Sequence, residues 1–193
     1  MSSPGIVLAS ASPRRRDLLR SAGVNLRAVA SAAEELDDPA LGLPGLVLAN
    51  ARTKALEVAA RHPAAVVLGA DTLVWVDGLP LGKPADPAEA RRMLALLAGR
   101  VHEVVTGVHL VRLQPLVQVE FHEITRVRFH RLGSDDIEAY LSRVEVRDKA
   151  GAYALQEHGE MLVESVEGSR SNVMGLPLER TLAALRHFGD RLE

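Results

Sequence analysis

The feature that most constrains the fold is an alternating segment near the middle of the chain, residues 117–129. Its odd positions are mostly apolar, and its even positions are mostly polar or charged. A period of two is typical of a β-strand with one buried face and one face in water. The preceding segment, residues 101–113, also resembles a strand, and Gln114-Pro115 between them predicts a turn. The sequence therefore predicts a long β-hairpin here.

The segments on either side of this hairpin combine further strands with helices. Residues 5–10 and 64–71 are apolar runs typical of buried strands, and Asp77-Gly78 predicts a tight hairpin turn. Capping residues, helix breakers and apolar spacing predict helices and two late strands. The helices are expected at 12–23, 44–62, 86–99, 134–143 and 178–188, and the strands at 151–155 and 161–166. This order predicts an α/β or mixed α+β fold around a mixed β-sheet.

Composition limits the class of protein. The chain has 193 residues, 47% of them hydrophobic and 25% charged, which is typical of one globular domain spanning residues 1–193. Its net charge of −2 provides no overall basic field for nucleic acid. It has no cysteine, which excludes disulfides and thiolate zinc sites. Because neither a signal peptide nor a long apolar span is evident, we expect a cytoplasmic protein with no membrane partner.

Polar and cationic side chains are concentrated around the start of the first predicted helix. Ser10 and Ser12 precede Arg14, Arg15 and Arg16. A helix N-terminus leaves backbone N–H groups unpaired and carries partial positive charge, so these residues are suited to binding phosphate. The alternative is a solvated surface, and of the three arginines Arg16 fits that alternative best.

A carboxylate follows the apolar run at 64–70. Asp71 stands in "GADT" and is expected at the end of the strand, a common place for a catalytic or metal-binding aspartate. A carboxylate at the end of a buried strand needs a partner or a metal to offset its desolvation. The alternative is that Asp71 only begins a turn.

Further cations and an acidic loop complete the set of candidate residues. Lys83 lies in "GLPLGKP", which resembles a Walker phosphate loop but has the wrong glycine spacing and no helix starting at the lysine. Lys54 lies within the helix predicted at 44–62, and Glu35 lies in an acidic loop. Each alone is more often a surface residue. Together with Asp71 and the arginines, they suit a nucleoside triphosphate with a hard divalent cation.

Eight short motifs resemble, in order and spacing, the Maf family of nucleotide pyrophosphatases. The match covers nearly the whole chain, with a loose part at 108–145. The motifs are "SASPRR" (10–15), Glu35, "ARTKA" (51–55), "GADT" (69–72), "GKP" (82–84), "GRVHEVVTG" (99–107), "DKAGAYALQ" (148–156) and "SNVMGLP" (171–177). A set of this size in one order is highly specific.

The resemblance implies an activity and a fold. The family hydrolyses nucleoside triphosphates to a monophosphate and diphosphate with a divalent metal, for which Mg²⁺, Mn²⁺ and Co²⁺ are the candidates. The implied fold is an elongated mixed β-sheet with flanking helices and two lobes around a cleft, similar to that of inosine triphosphate pyrophosphatases. "DKAGAYALQ" resembles the subfamily that acts on dTTP and UTP. Arg170 departs from the family pattern, in which an aromatic residue is more usual.

The resemblance also implies roles for the candidate residues. Asp71 matches the catalytic aspartate, and the specificity positions match Arg14, Thr72 and Gln156. The other matched polar residues are Ser10, Arg15, Glu35, Lys54 and Lys83. We assign catalysis to Asp71, Lys54 and Lys83, substrate binding to Ser10, Ser12, Arg14, Arg15, Thr72 and Gln156, and metal binding to Glu35 and Asp71. The sequence leaves open whether Asp71 binds the metal or acts as a general base.

Two other functions are compatible with the sequence. Because the family was first discussed as inhibitors of septum formation, one alternative is a non-catalytic regulator of cell division that binds a nucleotide or DNA. The other is a purine triphosphate pyrophosphatase of the inosine type. Asp71 favours an enzyme, since a binding protein needs no base, and the net charge argues against a DNA-binding groove. A homodimer is compatible with the resemblance.

Overall fold

The protein consists of seven β-strands and six α-helices within residues 5–189, the part of the chain that the structure, a computed structural model, describes. The strands are β1 (Ile6–Leu8), β2 (Leu26–Ala28), β3 (Val67–Val76), β4 (Leu79–Leu81), β5 (Val101–Leu113), β6 (Leu116–Phe129) and β7 (Val163–Glu167). The helices are α1 (Pro13–Ser21), α2 (Gly42–Arg61), α3 (Pro87–Leu97), α4 (Ser134–Leu141), α5 (Arg170–Val173) and α6 (Leu178–Gly189).

The strands form one mixed sheet. Its order is β2-β1-β3-β5-β6-β7, and β4 pairs with β3 beside this path. β1 is parallel to β2 and β3, whereas β4 is antiparallel to β3, and β7 is antiparallel to β6. β5 and β6, which were predicted from the alternating segment and its neighbour, lie side by side in the sheet. The mixed α/β fold predicted from the sequence is therefore confirmed.

Local sequence signals account for several element boundaries. α1 begins directly after Ser12, whose side chain accepts a hydrogen bond from the Arg15 N–H at 3.5 Å. α3 begins directly after Asp86, whose side chain accepts from the Glu89 N–H at 2.7 Å. The Asp77-Gly78 turn has positive φ at both residues, as a two-residue hairpin between β3 and β4 requires. These caps and this turn were predicted from the sequence and are confirmed.

The chain divides into two compact units, called the first and second units below. The first contains the described residues up to Asp71, the segment Thr106–Glu123 and the described residues from Gly175 onward. The second contains Thr72–Val105 and Ile124–Met174. Three of the four divisions fall within β3, β5 and β6, so each of these strands contributes residues to both units, and the fourth falls between α5 and α6.

Each unit has its own buried core. In the first unit, side chains of β1, β3 and β5 pack with α1 and α6, and Leu8, Leu68 and Phe188 are fully or almost fully buried among them. In the second unit, side chains of β5 and β6 pack with α3 and α4, and Phe129 and Tyr140 are almost completely buried among them. Burying a side chain of this size stabilises a fold by about 1.5–3 kcal/mol. The candidate residues of β3 and α1 are therefore attached to well-packed elements.

Two glycines allow α2 to lie close to the sheet in the first unit. A Cβ at Gly69 in β3 would lie 2.3 Å from the Ala51 carbonyl oxygen of α2. A Cβ at Gly107 in β5 would lie 2.5 Å from the Val47 carbonyl oxygen of the same helix. Both distances are too short for any side chain, so the approach of helix to sheet requires glycine at both positions.

The structure corrects the predicted end of the strand that carries Asp71. β3 extends to Val76, so Asp71 lies within the strand rather than at its end. The strand continues because the following residues include β-branched and aromatic side chains, and three of them, Val74, Trp75 and Val76, pair with β4. A buried carboxylate is tolerated inside the strand because side chains of α2 satisfy its oxygens, as described below.

The strand predicted at 151–155 is wrong. Residues Ala150–Ala152 form a 3₁₀ turn instead, with φ of +69° at Gly151 and +59° at Ala152. These values lie in the left-handed region and are incompatible with an extended strand. Gln156, expected at the end of that strand, consequently lies in a turn.

The remaining differences concern the ends of elements. α2 begins at Gly42, two residues earlier than predicted, and the late strand is Val163–Glu167. α4 begins at Ser134, but Gly133 rather than Ser134 is its N-cap residue. The Gly133 N–H is satisfied by the Asp136 side chain at 2.8 Å, which explains why an acidic residue follows so closely. β2 and the short helix α5 were not predicted.

Candidate active site

A lysine joins two carboxylates in the first unit. Lys54 extends from α2, and its Nζ lies 2.7 Å from Asp71 Oδ1 in β3 and 2.6 Å from Glu35 Oε1. Asp71 is 6% exposed and the Lys54 side chain is 14% exposed, so their ion pair is largely shielded from solvent. Glu35 lies on the segment between β2 and α2, and more than half of its side chain is exposed. The structure thus brings together three of the predicted residues.

Asn50, one helical turn before Lys54, holds the same carboxylate from its other side. Its Nδ2 donates to Asp71 Oδ2 at 3.3 Å and to the Leu36 carbonyl oxygen at 3.2 Å. Its Oδ1 accepts from the Leu36 N–H at 2.7 Å. Because residues four apart share a helix face, α2 supplies a donor to each oxygen of Asp71.

Asn50 was not predicted as a site residue, although the sequence contains a signal for it. The buried face of α2 is otherwise apolar and consists of Leu43, Leu46, Val47, Ala51, Ala55, Val58 and Ala59. A single amide among such residues requires hydrogen-bond partners once it is buried. Its spacing of four residues from Lys54 places it on the same face as a predicted catalytic residue.

The start of α1 provides a second set of predicted residues. Arg15 Nη1 donates to Ser10 Oγ at 3.2 Å, and Arg15 Nε donates to the Gly175 carbonyl oxygen at 2.8 Å. The Ser12 N–H also donates to Ser10 Oγ, at 3.2 Å, while the Ser12 side chain caps the helix. Arg15 is thereby oriented by groups of the first unit, with Ser10 as the shared acceptor.

The electrostatics of Arg15 connect it to the carboxylate cluster. Burial lowers the pKa of Arg15, and the negative charge of Asp71 is the strongest influence that opposes this shift. The neighbouring charge of Arg14 lowers the pKa further, and that of Glu35 raises it. An arginine stays protonated in proteins, so Arg15 adds a fixed positive charge close to Asp71.

The other two arginines of the first turn have different surroundings. Arg14 is half-buried at the start of α1. The Arg16 guanidinium pairs with its neighbour Asp17, Nε to Oδ1, at 3.2 Å, and both side chains are exposed. The surface interpretation of Arg16 therefore agrees with its contacts.

The other predicted residues belong to the second unit. Thr72 is half-buried in β3, directly after Asp71 in the chain. Lys83 is exposed on the segment between β4 and α3, and Gln156 is exposed in a turn. The Gly151 N–H donates to the Gly82 carbonyl oxygen at 2.9 Å, which ties the segment next to Lys83 to the segment that precedes Gln156.

A buried lysine supports the turn that carries Gln156. The Lys149 Nζ donates to the Glu145 carbonyl oxygen at 2.6 Å and to Asp148 Oδ1 at 2.9 Å. It also lies 3.4 Å from Glu157 Oε1, and its side chain is only 7% exposed. Because Glu157 directly follows Gln156, this ion pair fixes one end of the turn.

The acidic residues fit a divalent cation only in part. Within residues 5–189, no three or more histidine or acidic side chains are grouped as a metal site. Glu35 and Asp71 are brought together by the Lys54 ammonium that both bind, and carboxylate oxygens are the ligands that Mg²⁺ prefers. Protein sites for Mg²⁺ commonly supply one or two carboxylates and leave the remaining positions to water and substrate phosphates. The pair therefore fits a cation that is shared with a phosphorylated substrate.

The chain thus combines a mixed α/β sheet, a shielded aspartate–lysine pair and a serine-capped helix whose first turn carries three arginines. The family model of Maf-like proteins matches residues 5–188. The chain therefore belongs to the Maf family, and the resemblance found in the sequence is confirmed. Arg170, where the chain departs from the family pattern, is the exposed first residue of α5.

Similar proteins carry a more particular name. A dTTP/UTP pyrophosphatase of Akkermansia muciniphila is 45% identical over 188 residues, covering 97% of this chain and 98% of the relative. A dTTP/UTP pyrophosphatase of Symbiobacterium thermophilum is 46% identical over 188 residues, covering 95% and 94%. A third, from Bacillus cytotoxicus, is 42% identical over 182 residues and covers 94% of each chain.

Proposed function

We propose that this protein is a nucleotide pyrophosphatase that hydrolyses dTTP and UTP to the nucleoside monophosphate and diphosphate. Modified pyrimidine triphosphates are included, so the protein would remove excess or non-standard nucleotides. The names of the similar proteins support the substrate class. The observation that carries the proposal is the shielded Asp71–Lys54 pair beside Glu35, because a carboxylate held in a fixed position next to a cation and a second carboxylate is suited to general-base or metal-assisted catalysis.

The charge balance of the cluster explains why a triphosphate would need a cation. Asp71 and Glu35 contribute two negative charges, and Lys54 and Arg15 contribute two positive charges. A bound triphosphate adds several negative charges to this neutral set, and a divalent cation would compensate part of them. Glu35 and Asp71 would hold Mg²⁺, Mn²⁺ or Co²⁺, which when bound stabilises negative charge on the phosphate oxygens.

The proposed reaction is attack of water on the α-phosphorus. The bond between the α-phosphorus and the bridging oxygen to the β-phosphorus breaks, diphosphate leaves, and the proton of the attacking water passes to a base. Asp71 is the proposed base, and each of its oxygens keeps a lone pair beside the bond to Lys54 or Asn50. If Asp71 instead binds only the metal, the proton passes to solvent.

The other predicted residues would bind the nucleotide. Ser10, Arg14, Arg15 and the helix end capped by Ser12 are suited to phosphate oxygens. Lys54 and Lys83 would stabilise the charge that develops in the transition state. Thr72 and Gln156 would read the pyrimidine edge through hydroxyl and amide groups, with Arg14 as the third specificity position.

Diphosphate release from a panel of triphosphates tests the proposal. The purified protein is incubated with dTTP, UTP, CTP, GTP, ATP and ITP in Mg²⁺, Mn²⁺ or Co²⁺, and diphosphate and phosphate are measured separately. We expect diphosphate, with dTTP and UTP as the best substrates, and incorporation of ¹⁸O from labelled water into the nucleoside monophosphate. Release of phosphate alone, a preference for a purine triphosphate, or binding without turnover would each contradict the proposal.

Location and assembly belong to the same proposal. In the described part of the chain, no helix is both long and apolar enough to span a membrane. We propose a cytoplasmic enzyme. A homodimer is compatible with the family resemblance, and light scattering coupled to gel filtration measures the assembly directly.

A further inference from the structure

We propose that Asn50 is a positioning residue. It keeps the segment that carries Glu35 and the carboxylate of Asp71 in place beside Lys54. This inference rests on the proposed function, in which both carboxylates take part. Asn50 is 3% exposed and is bonded both to the segment that carries Glu35 and to Asp71 itself. Lys54 also bonds to both, but it contacts only the side chain of Glu35, whereas Asn50 bonds to the backbone of the Glu35 segment at Leu36.

The hydrogen-bond network determines the orientation of the Asn50 amide. Its Oδ1 faces the Leu36 N–H, and its Nδ2 faces two acceptors, the Leu36 carbonyl and Asp71 Oδ2. Rotating the amide by 180° would place its oxygen against a carboxylate and a carbonyl, and its NH₂ against an N–H. All three contacts would become repulsive, so a single orientation is stable.

The two bonds to Leu36 fix the segment that carries Glu35. They resemble the pair of bonds between two backbones, with the side-chain amide in place of one peptide group. Leu36 directly follows Glu35, whose own side chain is more than half exposed and bonded to Lys54. Without Asn50, this segment still contacts α2 through the exposed ion pair of Glu35 and, four residues before Leu36, through a 3.4 Å bond from the Ala32 N–H to Glu57. An exposed ion pair is worth little, so Asn50 makes the main contact next to Glu35.

The bond to Asp71 fixes the rotation of the carboxylate. Lys54 holds Oδ1 and Asn50 holds Oδ2, so the plane of the carboxylate is set from two points four residues apart on α2. Groups that orient a catalytic or metal-binding residue in this way typically contribute 10–100-fold to activity or metal affinity. Asn50 contributes orientation and no charge, so its loss should affect turnover more than nucleotide binding.

Three variants test the proposal. Asn50→Leu keeps the approximate shape and removes all three bonds, and we expect kcat for dTTP to fall about 10–100-fold with KM changed less than threefold. Asn50→Asp places a second carboxylate against Asp71 and should lose at least as much activity. Thr53→Ala is the matched control, because Thr53 is exposed on α2 and its hydroxyl bonds only to the helix backbone at Ala49. The control should leave kcat and KM unchanged.

A readout independent of turnover follows the Leu36 amide. In the wild type, Asn50 Oδ1 protects this N–H, so its hydrogen exchange measured by NMR should be slow for a residue with an exposed side chain. In Asn50→Leu the exchange at Leu36 should accelerate at least tenfold, while amides in the middle of β5 keep their rates. Unchanged exchange at Leu36 would overturn the proposal, even if the activity has fallen.

A double-mutant cycle keeps the proposal testable if Asn50→Leu is unstable. Asn50→Ser and Glu35→Gln are combined, and the exposed Glu35 is tolerant of change. If Asn50 acts through the Glu35 segment, the double variant should lose less activity than the product of the two single losses. Independent effects, or a wild-type kcat in Asn50→Ser and Asn50→Leu, would overturn the inference. An inactive wild-type protein would instead refute the proposed function, while leaving the exchange experiment valid.

Discussion

The predicted site residues of the two units are held in contrasting ways. In the first unit, Asp71 and Lys54 are shielded and bonded to other side chains, and Arg15 is fixed by Ser10. In the second unit, Lys83 and Gln156 are exposed on irregular segments that backbone bonds and a buried lysine support. Asp71 and Lys54, which are proposed for chemistry, are thus held by side-chain bonds on a strand and a helix. Lys83 and Gln156 lie on loops, where sequence can change without loss of the fold.

The largest effect is expected at the shielded carboxylate. Asp71→Asn keeps the shape of the side chain and removes its charge and basicity, so kcat should fall by about 10²-fold or more. Asp135→Asn, an exposed carboxylate in the first turn of α4, is the control and should keep full activity. Steady-state kinetics with circular dichroism distinguish loss of chemistry from loss of fold. Turnover at the wild-type level in the Asp71 variant would exclude both roles proposed for it.

The second effect concerns the stability of the second unit. His102 is buried, its Nε2 lies 2.9 Å from the Tyr153 hydroxyl, and burial lowers its pKa to about 4. Between about pH 6.5 and pH 4 the unfolded chain binds a proton that the folded chain does not, so stability falls as the pH is lowered through this window. The loss from this group between pH 7 and pH 5 should be about 2 kcal/mol.

Urea unfolding at several pH values measures this loss. His102→Phe removes the titrating group and should flatten the dependence by that amount, although the variant also loses the bond to Tyr153. His109 in the first unit is the comparison, because burial lowers its pKa too but Glu120 opposes the shift. His109→Phe should therefore flatten the curve less. A curve that keeps its slope in the His102 variant would contradict the assignment.

The third effect separates the arginines of one helix turn. Arg15→Ala removes the charge that Ser10 and the Gly175 carbonyl hold in place, and kcat/KM for dTTP should fall about 10–30-fold. Arg14→Ala should also lower kcat/KM for dTTP. Arg16→Ala removes only a surface pair with Asp17 and should have no measurable effect. Equal losses in all three variants would contradict the assignment of Arg15 to phosphate.

The smallest effect is expected at Gln156, because an exposed amide on a turn adapts to its ligand. An amide offers a donor and an acceptor together, which matches the O4 and N3–H edge of uracil and thymine. Gln156→Glu should narrow the preference for dTTP and UTP over GTP and ATP by up to about tenfold in kcat/KM. Gln118→Glu, exposed on β6, is the control. An unchanged preference would place base reading on other residues.

The sequence predicted those parts of the fold that depend on local chemistry. The caps at Ser12 and Asp86 and the Asp77-Gly78 turn depend on one side chain or one backbone conformation each, so they can be read without the rest of the molecule. The alternating segment likewise identified β6 from a pattern that only a half-buried strand produces. Predictions from local sequence were wrong or incomplete where a contact with a neighbouring element determines the structure.

Asp71, Asn50 and Ala152 are examples of such failures. Asp71 ended the predicted strand because a buried charge is costly, but α2 supplies the donors that allow β3 to continue. Asn50 differs from an ordinary core amide only through what it contacts. Ala152 has a positive φ that an alanine rarely adopts, and its own N–H bonds to the Lys149 carbonyl within the turn. None of these contacts can be inferred from the amino-acid sequence alone.

The two glycines under α2 have a consequence for how this site tolerates mutation. A lysine side chain has a fixed maximum reach, and Lys54 bonds to Asp71 only because Gly69 and Gly107 let the helix backbone rest on the strands. A methyl group at either glycine would displace the helix and carry the ammonium away from the carboxylate, although neither glycine has a functional group. The distance between helix and sheet therefore determines whether Lys54 reaches Asp71. Substitutions at Gly69 and Gly107 are expected to be as poorly tolerated as substitutions of the charged residues.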